Sequence, residues 1–168
     1  MTILDHLAAH ARNRVAADQA ENSLDVLQAQ CRARGRAHGA RFRGALEKPG
    51  LSFICEVKRA SPSKGVIAEN FPYLEIARDY ERAGADAISC LTEPKWFLGS
   101  DQIFREIRGA VDTPMLRKDF TVDAYQLYQA RLLGADCVLL ICALLDTGTL
   151  ARYLGFCEAL GLAALVEA

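Results

Sequence analysis

Residues 138–141 read Val-Leu-Leu-Ile, inside an almost wholly apolar run from 136 to 142. A strand that apolar has no face to give to water, so it must be covered on both sides, as in parallel sheets. The rest of 51–168 repeats the arrangement. Short apolar runs at 51–57, 86–91, 114–117 and 163–166 alternate with helical patterns at 73–83, 101–110, 123–133 and 147–160. Gly84, Gly134 and Gly161 stand where three of those helices should end in a left-handed cap. Five strands alternating with four helices predict a parallel α/β sheet, either open and doubly wound or part of a (β/α)8 barrel. A closed barrel needs about 200 residues at least, and the chain has 168. A weak internal echo fits repeated units: Ala83-Gly84-Ala85-Asp86-Ala87-Ile88 resembles Leu133-Gly134-Ala135-Asp136-Cys137-Val138. No Gly-x-Gly-x-x-Gly or Walker-type glycine loop follows any strand, which argues against dinucleotide and P-loop sites.

Residues 1–50 read differently, and the pattern divides the chain into a helical segment, 1–50, and a sheet-forming segment, 51–168. Ile3, Leu4, Leu7, Ala8, Ala11 and Val15 recur at helical spacing on one face. Ser23 is placed to cap a second helix through Leu24, Leu27 and Cys31. Arg32, Arg34, Arg36, Arg41 and Arg43 follow. They read as a solvated helix face and connection rather than an anion patch. His6, His10 and His38 all fall in this segment. None sits at a strand end, so they read as surface or helix-packing residues, and no histidine triad is available.

Composition narrows the function classes. Twenty Lys/Arg against 21 Asp/Glu leave a net charge of −1, which argues against nucleic acid as the main partner. No apolar run reaches the 18 or so residues of a membrane span, and the first residues lack a secretory core. Cys31, Cys55, Cys90, Cys137, Cys142 and Cys157 form no Cys-x-x-Cys pair and have no histidine at zinc spacing. They read as reduced thiols used as small core residues, which points to the cytoplasm.

In α/β folds the chemistry gathers at the carboxyl ends of the strands. The first strand ends Glu56-Val57-Lys58, and two-residue spacing puts both charges on one side. A simple ion pair or a ligand site would each account for them. The loop Arg59-Ala60-Ser61-Pro62-Ser63-Lys64-Gly65 suits an anion-holding turn or a plain surface loop. The third strand ends Arg117-Lys118-Asp119-Phe120, and the last ends Val166-Glu167-Ala168. A lysine and a glutamate on different strand ends suit proton donation and acceptance across a barrel mouth. Lys58 would lower the pKa of Lys118 if the two stood side by side. After the second strand, Thr92-Glu93-Pro94-Lys95-Trp96-Phe97 puts aromatics either against an apolar substrate or over the mouth as cover.

These residues resemble the indole-3-glycerol phosphate synthase family. The segment from Glu56 to Gly65 looks like its signature. Leu91-Thr92-Glu93 with Phe97 and Gly99-Ser100, then Leu116 to Phe120, then Leu165-Val166-Glu167 match its later motifs in order and spacing. Ile3-Leu4-Asp5 and Phe42 to Leu46 resemble its N-terminal helical extension. Trp96 stands where that family more often has Tyr or Phe. The resemblance implies a (β/α)8 (TIM) barrel, here partial, with five parallel strands, four helices and the extension in front. It implies closure of the indole ring of 1-(2-carboxyphenylamino)-1-deoxyribulose 5-phosphate, with loss of carbon dioxide and water, in tryptophan biosynthesis, and no metal or organic cofactor.

By the same resemblance Lys118 is the general acid of ring closure and Glu167 moves a proton in the dehydration. Lys58 holds an anionic group of the substrate, and Glu56 positions the lysines and stabilises developing positive charge. Ser61 lines the anion site, and Phe97, Phe120 and Leu139 pack against the anthranilate ring. The family continues through three more βα units, which carry an Asn-x-Arg-like strand end and the phosphate loops. The expectation is therefore a fragment that is inactive alone. The alternative is a non-catalytic partial barrel that self-associates or pairs with a complementary fragment. The Ser-Pro-Ser-Lys-Gly loop and Lys118-Asp119-Phe120 speak against another phosphosugar barrel, such as phosphoribosylanthranilate isomerase.

Overall fold

The computed structural model describes residues 2–35 and 39–168. Three helices come first: α1 (Ile3–Glu21), α2 (Leu24–Ala33) and α3 (Gly39–Leu46). Thr2 starts α1 with a capping box to Asp5, and the Ser23 hydroxyl caps α2 by accepting the Val26 N–H. Next come β1 (Ile54–Val57) and a short hairpin, β2 (Ala60–Ser61) with β3 (Gly65–Val66). Then α4 (Tyr73–Arg82), β4 (Ala87–Leu91), α5 (Asp101–Ala110), β5 (Met115–Lys118), α6 (Tyr125–Leu133), β6 (Cys137–Ile141), α7 (Thr147–Leu160) and β7 (Ala163–Glu167) alternate to the end.

The five long strands form one parallel sheet in the order β1-β4-β5-β6-β7, so each crossover leads to the adjacent strand. The expected alternation is present. Boundaries move by three residues at most, furthest at β1, where the Phe53 carbonyl already accepts the N–H groups of Asp86 and Ala87 and Leu51 stays exposed. Two unexpected strands make the hairpin after β1, which folds the Ser-Pro-Ser-Lys-Gly loop back on itself. Gly134 and Gly161 take the left-handed caps of α6 and α7, at φ 85 and 70.

The alternation of side chains divides the sheet into two apolar faces. Val57, Ile88, Cys90, Met115, Val138 and Leu140 point outward and pack under the helices. Ala87, Leu116, Cys137, Leu139 and Ile141 point to the inner face, which Phe42 of α3 covers from the amino ends of the strands. Cys31, Cys90, Cys137 and Cys157 are buried, and all six thiols are free. Burial pushes the thiols of Cys90, Cys137 and Cys157 up to about 12, which keeps them protonated and inert.

The repeated Gly-Ala-Asp has a structural reason. Asp86 accepts the N–H of Phe53 at 2.8 Å, and Asp136 accepts that of Met115 at 2.8 Å. Each aspartate ties the start of its strand to the start of the preceding one.

The N-terminal helices do not form a separate layer. Leu7, Ala8, Ala11 and Val15 of the expected α1 face are buried, while Ile3 is exposed. Val15, Leu27 and Tyr125 share a cluster, and the Tyr125 hydroxyl donates to the carbonyls of Asp18 and Asn22. The arginine-rich stretch largely spends its donors on the chain itself. Arg34 binds the Leu132 carbonyl, Arg41 binds that of Asp112, and Arg43 pairs with Glu47. Arg36 and His38 lie outside the described residues, and His6 is exposed. Among the described residues no helix is long and apolar enough to cross a membrane.

Candidate active site

Five strand ends converge on a cleft of about 220 Å³. Its walls include Glu56 and Lys58 from β1, Lys118 from the end of β5, Leu139 from β6 and Glu167 from β7. Phe97 and Phe120 enter from the loops after β4 and β5, their ring centroids 6.1 Å apart. The parity of the strands explains the gathering. Positions 54, 56 and 58, 89 and 91, 116 and 118, 137, 139 and 141, and 163, 165 and 167 all face inward, and the charged ones cluster at the carboxyl ends.

Glu56 stands between the two lysines. Lys58 Nζ is 2.5 Å from Glu56 Oε1, and Lys118 Nζ is 3.2 Å from Glu56 Oε2. The second contact spans β4, because β1 and β5 each pair with it on opposite sides. The expected juxtaposition of two cations is thus mediated by a carboxylate, which offsets their repulsion. Burial would raise the Glu56 pKa, but the hydrogen bond from Lys58 and the charge and hydrogen bond of Lys118 outweigh it. The carboxyl is held below its ordinary value and is ionised at neutral pH. All three groups are about one-third exposed, so a ligand can reach them.

Seven of the eight expected residues line this cleft: Glu56, Lys58, Phe97, Lys118, Phe120, Leu139 and Glu167. Ser61 does not. It sits in the β2–β3 hairpin, where its hydroxyl accepts the Lys64 N–H at 3.2 Å and lies 3.4 Å from the Ser63 hydroxyl. Among the described residues no three His, Cys, Asp or Glu side chains gather as metal ligands. The arrangement offers two ammonium groups for anions or proton donation, a second carboxylate, Glu167, that pairs with no cation among the described residues, and a slot between phenyl rings for a flat apolar group.

The sequence reading missed three contributors. Glu93, fully buried, accepts the N–H groups of Lys95, Trp96 and Phe97 at 3.0, 2.7 and 3.0 Å, which folds the loop that aims Phe97. Asp119 is buried behind Lys118 and accepts two hydrogen bonds from Arg14, at 3.1 and 2.6 Å. His10, expected at the surface or in helix packing, lies 3.2 Å from Glu93 and edge-on to Trp96. The available signal was the spacing of His10 and Arg14, one helical turn apart beside the apolar stripe of α1.

Gly99 closes the Phe97 loop by passing against β4. A Cβ there would overlap the Leu91 backbone carbonyl. Gly99→Ala is expected to cost about 1–3 kcal/mol, read from urea unfolding, because the neighbour that must yield is strand backbone.

Parallel strands, an apolar inner face and charges gathered at the carboxyl ends mark a (β/α)-barrel type of protein. Residues 4–168 match the family model described as indole-3-glycerol phosphate synthase, and the chain belongs to that family. It is 53% identical over 166 residues to the indole-3-glycerol phosphate synthase of Ruminiclostridium cellulolyticum, covering 99% of this chain and 64% of that one. The corresponding protein of Endomicrobium trichonymphae is 46% identical over 166 residues, with the same coverage. That of Burkholderia multivorans is 45% identical over 168 residues, covering 98% and 64%. The chain thus spans 64% of the length of these relatives.

Proposed function

We propose that this cleft is the ring-closing site of an indole-3-glycerol phosphate synthase, acting on 1-(2-carboxyphenylamino)-1-deoxyribulose 5-phosphate in tryptophan biosynthesis. The observation that carries the reading is Glu56 bridging Lys58 and Lys118 beneath Phe97 and Phe120. Lys58 anchors an anionic group of the substrate, and the aryl ring lies against Phe97, Phe120 and Leu139. Lys118 gives a proton to the carbonyl oxygen as the ring carbon attacks, so one carbon–carbon bond forms as the carbonyl becomes a hydroxyl. Loss of carbon dioxide restores the aromatic ring. Departure of the hydroxyl as water, with a proton supplied by solvent while Glu167 takes one from the adjacent ring carbon, completes the indole. Glu56 orients both ammonium groups and offsets positive charge developing on the substrate nitrogen. Ser61 joins the anion site only if the hairpin folds inward over the cleft. In this division residues 51–168 are the barrel part and 1–50 its helical extension. No metal, organic cofactor or nucleic acid takes part, and the free thiols fit a reducing cytoplasm.

Residues 1–168 assayed alone turn over slowly or not at all, because β1 and β7 each pair on one side only and leave the cleft open to water. Product formation is followed by indole fluorescence. A rate near that of a complete enzyme would overturn the expected inactivity of residues 1–168, and no turnover after supply of the remaining barrel strands would overturn the ring-closing assignment. A second reading is a partial barrel that self-associates. The exposed Leu51, Phe53 and Val166 beside the open edges favour it. Light scattering is expected to show oligomers whose population rises with concentration, and a strictly monomeric chain would count against it.

A further inference from the structure

We propose that Arg14 is a positioning residue of the cleft, acting through the buried Asp119 on the strand end that carries Lys118 and Phe120. This rests on reading the cleft as the reactive site. Each Asp119 oxygen is shared between Arg14 and one strand end. Oδ1 accepts Arg14 Nη2 at 2.6 Å and the Phe120 N–H at 2.8 Å. Oδ2 accepts Arg14 Nη1 at 3.1 Å and the Thr92 hydroxyl at 2.8 Å. The Thr92 N–H in turn donates to the Lys118 carbonyl at 3.1 Å. Arg14 thereby reaches both neighbours of Asp119 and the end of the adjacent strand.

A carboxylate this buried needs charged partners to stay ionised. Arg117 is 3.8 Å away and donates instead to Asp101 at 3.0 Å and the Gln126 carbonyl at 3.1 Å. Arg14 is the partner with matched fork geometry. One turn earlier, His10 stands by Glu93, which folds the Phe97 loop. Helix α1 therefore grips Asp119 through Arg14 and passes beside Glu93 at His10, and each of these buried carboxylates fixes a loop that sends a phenyl ring into the cleft.

The test uses the 15N-labelled 168-residue chain and needs no turnover, so failure to make product falls on the proposed reaction and not on this role. Arg14→Ala is expected to speed amide exchange at Thr92 and Phe120 about tenfold or more while Val138 and Leu140 in β6 keep their protection. The side-chain ammonium signal of Lys118 should shift. Arg14→Lys, which keeps the charge but not the fork, should recover part of both effects. If Arg14→Ala does not fold, Thr92→Val removes the other side-chain hydrogen bond to Oδ2 and should loosen Phe120 in the same direction. Unchanged Thr92, Phe120 and Lys118 signals would overturn the proposal. So would loosening spread evenly into β6 with the Lys118 signal unmoved.

Discussion

Asp119→Ala is expected to destabilise the chain by about 3–5 kcal/mol, because it leaves buried cationic and polar groups without their acceptor. The carboxylate takes hydrogen bonds from Arg14, Thr92 and Phe120, and its side chain is 2% exposed. Burial would raise its pKa, but the nearby Arg117 charge and the hydrogen bond and charge of Arg14 hold it below the ordinary value. A depressed folded-state pKa gives stability that is fully present above the unfolded value of about 3.9. That stability is lost as pH falls through the folded value. Urea midpoints of the unaltered chain should therefore drop below about pH 4. Asp119→Asn should start lower at neutral pH and lose less in acid, and parallel curves for the two proteins would show that the ionised form contributes nothing.

Lys118→Ala is expected to lower kcat of the assembled enzyme by about 10²–10⁴, the range of a general acid. Lys58→Ala should act mainly on KM, since an anion anchor serves the ground state and transition state alike. The two differ in neighbourhood as well as in proposed role. Lys58 shares a strand with Glu56, whereas Lys118 reaches the same carboxylate across β4. Removing Glu56 should thus disturb both parameters. Turnover unchanged in Lys118→Ala would remove the acid from the scheme, and equal loss of kcat in both lysine variants would remove the distinction between them.

Much of the fold was legible because it depends on local periodicity. The apolar runs, the capping glycines and the two-residue spacing of Glu56 and Lys58 each require only neighbours in sequence. The Lys118–Glu56 contact requires the register of three strands, and no local pattern carries that. Asp119 and Glu93 were visible as strand-end acids, yet their use as anchors depends on where α1 lies. The apolar stripe of α1 gave its buried face from Leu7 to Val15, though not at Ile3. It could not give the direction of the charged flank, because Arg14 and His10 pair with groups far along the chain. Ser61 shows the opposite limit. Its loop suits an anion, but two short strands hold it in a hairpin away from the cleft walls.

The helix that covers the inner face from below also dictates when folding can finish. Phe42 packs against residues of β4, β5 and β6, and the Gly39 N–H bonds the Gly161 carbonyl at the entrance to β7. Its docking site is assembled from β4, β5, β6 and the approach to β7, all translated after it. On the ribosome α3 cannot complete this docking until β7 emerges. Closure of such distant contacts is slow, and an exposed Phe42 in the interval is a point at which nascent chains can be captured by one another or by a chaperone.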